Sequence, residues 1–228
     1  MITKDVQAYA ISNWGKYLSP ITELSKNNDG VSLVDSSVEL YNFDDISQSL
    51  FARGKKPTSA DGLGFNDLTM ELVEYKSGFK QRITKNNFDP AKGRCPDPDM
   101  NRVCEDYWKL FFKNQQTNIS ELISSIRNKA IESYISLEKQ VFPRCQDSCR
   151  PMRLKLVVVI DEDGIDSMED TYAELAGNNN AEDNHFSAIK NALQRLVNHR
   201  DAEGNAYFYD CIEVISVQDY LNKLKLMA

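Results

Sequence analysis

The stretch SADGLGFNDLTMELVEYKSGF, residues 59–79, decides the fold. Two hydrophobic runs flank Asn66-Asp67, a pair that favours chain reversal. The segment therefore reads as a hairpin, with a short strand in ADGLGF and a longer one in LTMELVEYKSG. Side chains alternate across a strand, so Met70, Leu72, Glu74 and Lys76 share one face while Glu71, Val73 and Tyr75 share the other. Glu74 and Lys76 continue an apolar row, which places a carboxylate and an ammonium on a partly buried face. Buried charges need a partner or a metal. If the strand before the turn pairs with the one after it, Asp61 comes within reach of Glu74.

Outward from the hairpin, MRLKLVVVID (152–161) is the strongest strand in the chain and is expected at the sheet centre, because it is apolar on both faces. YFYDCIEVISV (207–217) reads as a further strand and GFKQRIT (78–84) as a third or an extension. VSLV (31–34) is ambiguous. Helical spacing marks residues 5–18, a turn from Pro20 through Leu24, FDDISQSLF (43–51), residues 104–141 with a break near NQQTN, residues 164–180, HFSAIKNALQRLVNH (185–199) and QDYLNKLKL (218–226). Residues 86–102 carry scattered Pro, Asn, Asp and Gly and read as an irregular loop. Early hairpins followed by strand–helix alternation predict an α/β fold, a central mixed β-sheet flanked by helices on both sides. The chain reads as a single α/β domain over 1–228, with 85–150 a loop and helical insertion after the motif strand.

Composition permits this. The 228 residues suffice for one generous core, and 41% hydrophobic with 27% charged residues is ordinary for a globular protein. No apolar run approaches the roughly 20 residues that cross a bilayer. The opening MITKDVQAYAISNW has no apolar signal region, so a cytoplasmic location is expected. The net charge of −7 weighs against a polyanionic partner. Its distribution does not: residues 53–94 hold nine Lys or Arg against five acids, a net of +4, and the remainder carries −11. Lys55, Lys56, Lys80, Arg82 and Lys85 are the candidate nucleic-acid contacts around the hairpin.

Two carboxylates and a backbone carbonyl suit Mg²⁺ (or Mn²⁺), which takes hard oxygen ligands and keeps several waters. Such an ion would neutralise a phosphate and lower the pKa of a bound water. Lys76 would orient that water and stabilise developing charge. Asp61, followed by Glu74-Tyr75-Lys76 at the end of a hydrophobic strand and then Ser77-Gly78, resembles the motif of the PD-(D/E)XK nucleases, a restriction-endonuclease-like superfamily. The order of helix, strand 153–161 and helix 185–198 downstream is similar too. The resemblance implies Asp61 and Glu74 as metal ligands with the Tyr75 main-chain carbonyl, Lys76 as the catalytic lysine, and hydrolysis of phosphodiester bonds in DNA or RNA. It departs in two places. Pro57 lies four residues before the aspartate rather than beside it, and the insertion is long. Many members add an acid from the first core helix, for which Glu39, Asp44 and Asp45 are the candidates. Nucleases that cut both strands often pair, so a homodimer, or a partner protein bound through the insertion, is a further expectation.

Other features compete less strongly. Cys95, Cys104, Cys145 and Cys149 could hold structural Zn²⁺ or an iron–sulfur cluster, form disulfides or stand as free thiols; their C-X8-C and C-X3-C spacings match no zinc knuckle. Cys211 reads as a core residue. Asp161-Glu162-Asp163-Gly164, at the end of the central strand, could serve a Mg²⁺-dependent phosphohydrolase, though no glycine-rich phosphate loop accompanies it. His185 and His199 are fourteen apart on one helix and cannot act together, and no serine nucleophile elbow is present. Tyr107, Trp108, Phe111 and Phe112 read as helix packing. The remaining alternative is a non-catalytic interaction protein with a nuclease-like fold.

Overall fold

The computed structural model describes residues 1–52, 56–66, 68–77, 120–161, 185–202, 204 and 206–227. The strand expected in 78–84, the loop 86–102, residues 104–119 of the long helix with its aromatics, and the helix expected in 164–180 lie outside them.

Strands β1 (Ile2–Lys4), β2 (Leu18–Pro20), β3 (Glu39–Asn42), β4 (Gly62–Asn66), β5 (Thr69–Lys76), β6 (Asp147–Ile160) and β7 (Cys211–Ser216) form one mixed sheet. Helices α1 (Val6–Asn13), α2 (Ile21–Leu24), α3 (Phe43–Leu50), α4 (120–136), α5 (His185–Asn198) and α6 (Val217–Met227) flank it. The protein is thus α/β with helices on both sheet faces, as the strand–helix order predicts. Residues 120–141, inside the span read as an insertion, belong to the core: Ile126, Ala130, Leu137 and Val141 of α4 and its π-helical continuation Leu137–Val141 are buried against the sheet.

β6 is central because it can afford burial on both faces. Leu156 through Ile160 are all buried. Each such side chain contributes roughly 1.5–3 kcal/mol when removed from water. One edge of β6 pairs in parallel with β5 from Thr69↔Arg153 to Lys76↔Ile160. β6 also pairs in parallel with β7 and, through its first residues, antiparallel with β1. β5 pairs antiparallel with β4, from Gly62↔Val73 to Asn66↔Thr69, so Asn66, read from the sequence as part of the turn, is the last residue of β4. β3 and β2 extend the antiparallel half. Gly64 lets Leu40 pack close: a Cβ on it would lie 2.9 Å from Leu40 Cδ2, so that side chain would have to shift.

The alternation read in the hairpin is realised. Met70 and Leu72 pack with Leu154, Leu156, Val158 and Ile160 beneath α1, α3, α4 and α5. Val73 and Tyr75 pack with Val157 and Val159 beneath α2 and α6. Two expectations need correction, and one ambiguity is settled. The first helix ends at Asn13, and a 3₁₀ turn at Gly15–Tyr17 leads into β2, because Leu18 pairs with Tyr41 instead of continuing the helix. VSLV is not a strand; Ser32 makes one isolated bridge to Lys26, and Val34 fills the second core layer. Cys211, expected in the core, is exposed at the start of β7.

Candidate functional site

Asp61 is held by its backbone before its side chain does anything. Its carbonyl accepts from Phe43 N at 3.1 Å, at the start of α3, and its N–H donates to the Val73 carbonyl at 3.0 Å, on β5. The preceding residues are tied to α4: Ala60 N donates to the buried Ser133 Oγ at 2.8 Å, and Thr58 donates through both its N–H and its hydroxyl to Glu132. Because β4 runs antiparallel to β5 with Gly62 opposite Val73, Asp61, just before β4, falls alongside the last residues of β5. Tyr75 N donates to Asp61 Oδ2 at 2.8 Å. In an extended strand a residue's N–H and C=O face the same side, so the Tyr75 carbonyl points to the edge where Asp61 sits rather than into β6.

Glu74 lies on the first face, 1% exposed, in line with Met70 and Leu72. The two carboxylates converge. The agent that joins them is Lys129 of α4, whose Nζ is 3.0 Å from Asp61 Oδ1, 2.9 Å from Glu74 Oε2 and 2.8 Å from Glu74 Oε1. The contact to Oε1 is one of charge alone, for that oxygen accepts no hydrogen bond. Lys76 Nζ stands 4.0 Å from Glu74 Oε1 and reaches 3.5 Å to Ser125 Oγ on α4. The three expected residues are therefore together on one face, with a second lysine that the sequence reading does not include.

Electrostatics follow from burial. Removal from water pushes the Glu74 carboxyl up to about 8, the neighbouring Asp61 charge adds to this, and Lys129 opposes it without winning. Lys129, conversely, is held above its ordinary range: burial disfavours its charge, but Glu74 and Asp61 outweigh that. One ammonium shared between two carboxylates leaves the buried one under-compensated. A divalent ion would supply the missing charge, and the underbonded Oε1, Asp61 Oδ1 and the Tyr75 carbonyl are hard oxygen donors of the kind Mg²⁺ accepts. No group of three or more His, Cys, Asp or Glu suited to a metal occurs among the described residues, so the carbonyl and waters would have to complete the shell.

The acids expected from the first core helix separate in place. Asp44 accepts from Lys56 Nζ at 2.6 Å and from Ser59 Oγ at 2.7 Å. Burial raises its pKa, but those bonds and the charges of Lys56 and, least, Lys129 bring it below the usual value. Asp45 is occupied by the α3 cap, its N–H donating to Asn42 Oδ1 and its carboxylate accepting from Asn42 Nδ2. Glu39 is exposed near the sheet edge, opposite Pro20. Lys56, expected to meet nucleic acid, is paired with Asp44; Lys55, Lys80, Arg82 and Lys85 lie outside the described residues.

Asp161 directly follows Ile160, the partner of Lys76 in the sheet, so it shares the strand-end edge with the site; Glu162 and Asp163 lie outside the described residues. Cys145 is a buried thiol donating to the Val141 carbonyl, and burial pushes it up to about 11. Cys149 is exposed, and Cys95 and Cys104 lie outside the described residues. His199 sits edge-on to Phe208.

A signal for Lys129 exists in the sequence. It falls at helical spacing with Ile126, Ser133 and Leu137, all buried, so it interrupts the apolar stripe of α4. A groove of about 470 Å³ opens beside it, lined by Thr58, Ser124, Ser125 and Asn128 among others. No family model, curated protein or solved structure matches this chain. No helix among the described residues is long and apolar enough to cross a membrane.

Proposed function

We propose that the protein is a divalent-cation-dependent nuclease that hydrolyses phosphodiester bonds in DNA or RNA, with Asp61, Glu74 and Lys76 at its centre. The observation that carries this reading is the convergence of Asp61 and Glu74 on one cationic position at the ends of β4 and β5, with Lys76 beside it. The PD-(D/E)XK resemblance supplies the chemistry expected of that trio, and a restriction-endonuclease-like arrangement of the mixed sheet is part of the same proposal.

Asp61, Glu74 and the Tyr75 carbonyl would hold Mg²⁺ or Mn²⁺. When bound, such an ion supplies Lewis-acid polarisation of a phosphate oxygen and a water acidic enough to attack at neutral pH. Tyr75 N–H fixes Asp61 Oδ2, leaving Oδ1 to turn toward the ion. Lys76, anchored loosely by Ser125, is free to orient the attacking water and to offset the charge that grows on the phosphate. Lys129, once no longer needed between the carboxylates, adds a second positive charge facing the polar groove. Nucleic acid would enter along that groove.

The test is incubation with plasmid and single-stranded substrates under Mg²⁺ or Mn²⁺, comparing Glu74→Ala, Lys76→Ala and Asp161→Ala. Activity lost with the first two and kept with the third is the expected result. Loss with Asp161→Ala alone would move the chemistry to the phosphohydrolase reading. A wild type inert with every metal would favour the second reading, an interaction protein without turnover. One observation speaks for that reading: an ammonium already fills the position between the carboxylates.

Acidity should show in ion binding. Glu74 must lose its proton to ligate, and its carboxyl is pushed up to about 8. Below that value the ionised fraction grows about tenfold per pH unit. Affinity for Mn²⁺, measured by titration calorimetry, should therefore climb from pH 6 toward 8 and level off above. A flat profile from pH 6 to 9 would show that Glu74 is already ionised or is not a ligand.

A further inference from the structure

We propose that Lys129 is the resident counter-ion of the Asp61–Glu74 pair, that a divalent cation displaces it on binding, and that its ammonium then turns into the hydroxyl-lined groove along α4. This rests on the divalent-ion reading of the pair.

The geometry carries it in three steps. First, Nζ lies 2.8–3.0 Å from three carboxylate oxygens, two of Glu74 and one of Asp61. A divalent ion ligated by both carboxylates would need that same position. Two like charges cannot share it at contact distance, where their repulsion grows as the inverse of separation. Second, the lysine has somewhere to go. Its side chain is 24% exposed although both its partners are acids of the core edge, and it lines the groove with Thr58, Ser124, Ser125 and Asn128. These, with the Glu121 carboxylate that also lines the groove, offer oxygens that can accept from an ammonium. Third, the movement needs no change in backbone. α4 stays fastened on its core side by buried Ile126 and Ala130, by Ser133 Oγ accepting from Ala60 N, and by the Ala130 carbonyl accepting from Tyr209 Oη at 2.7 Å.

The exchange has a consequence for function. In the ion-free protein Lys129 partly offsets the charge of the Asp61–Glu74 pair. In the ion-bound protein the same charge is presented to the groove, beside the place where an anionic phosphate would lie. Ion binding and phosphate binding would thereby be coupled through one side chain.

Two measurements on the full chain test this. Mn²⁺ binding is followed by electron paramagnetic resonance for wild type, Lys129→Met and Lys129→Arg. The Met variant keeps the length and loses the charge. It should bind Mn²⁺ about tenfold more tightly than wild type, a typical coupling between competing ligands, and the Arg variant should gain nothing. Independently, acylation of Lys129 in the wild type by an amine-reactive reagent, read by mass spectrometry, should increase when saturating Mn²⁺ is added. This holds even if the Met variant fails to fold. Equal or weaker binding by a folded Lys129→Met protein, or acylation unchanged by bound Mn²⁺, overturns the displacement while leaving the ion site standing. No binding by wild type or either variant overturns the displacement and the ion site together. Binding by Lys129→Met alone overturns the displacement, because the lysine then holds the wild-type site against the ion.

Discussion

Glu74→Ala should cut phosphodiester cleavage by at least about a hundredfold. The scale comes from metal sites in which even outer-shell partners of the ligands are worth about 10–100-fold, and Glu74 is placed here as a ligand itself. The variant removes the more buried of the two carboxylates and leaves Lys129 with Asp61 alone. The core should survive, because Asp61 still compensates Lys129 and the deletion opens only a small void in the row of Met70 and Leu72. Loss of activity should therefore come without loss of fold. The check is single-turnover cleavage alongside the far-ultraviolet circular dichroism of the same preparation. Activity within a few-fold of wild type in a folded Glu74→Ala protein would remove the residue from the chemistry.

Tyr209→Ala should have the largest effect on stability, about 3–5 kcal/mol, the cost of deleting a fully buried large aromatic from a core that collapses only partly. Tyr209 is completely buried, packs at 6.2 Å from Tyr134 of α4, and donates to the Ala130 carbonyl, next to Lys129. It joins the lead-in to β7 to the helix that carries the second lysine. Most of the loss belongs to the ring rather than the hydroxyl. Tyr209→Phe should cost about 1 kcal/mol, because the Ala130 carbonyl remains inside a helix and retains its backbone partner. Urea unfolding of the two variants distinguishes these contributions. Equal losses for Phe and Ala would place the stabilisation in the hydrogen bond instead of the packing.

The parts of the fold legible in the sequence are those where one segment carries its own pattern. β5 alternates with period two, β6 is apolar throughout, and α3 and α5 repeat at helical spacing, so each declares its type without its neighbours. β1, β2 and β3 do not. They are three or four residues long and exist because remote segments offer them partners: Ile2 opposite Met152, Leu18 opposite Tyr41, Tyr41 opposite Leu63. No local periodicity encodes such pairings. The overrun of the first helix past Asn13 has the same origin.

The site divides in the same way. Glu74 and Lys76 share a face by strand geometry alone, and the hairpin register then brings Asp61 alongside. Both steps are local. Lys129 is 55 residues from Glu74 and 68 from Asp61. Helical spacing puts it on the core face of α4, but its arrival between the two carboxylates depends on how α4 docks on the sheet, which contacts of Ser133, Glu132 and Tyr209 fix. The helix acid was narrowed to three candidates by sequence, and tertiary contacts sort them: Asn42 takes Asp45 into a helix cap, the sheet edge exposes Glu39, and Lys56 with Ser59 occupies Asp44.

Crystals grown at pH 8 and soaked in Mn²⁺ test the central claim most directly, through anomalous scattering at the manganese edge. The account predicts a peak about 2.0–2.2 Å from oxygens of both Asp61 and Glu74, close to the octahedral ion distances expected for hard donors. Absence of any peak at millimolar Mn²⁺, with Lys129 Nζ still seated between the two carboxylates, would contradict it.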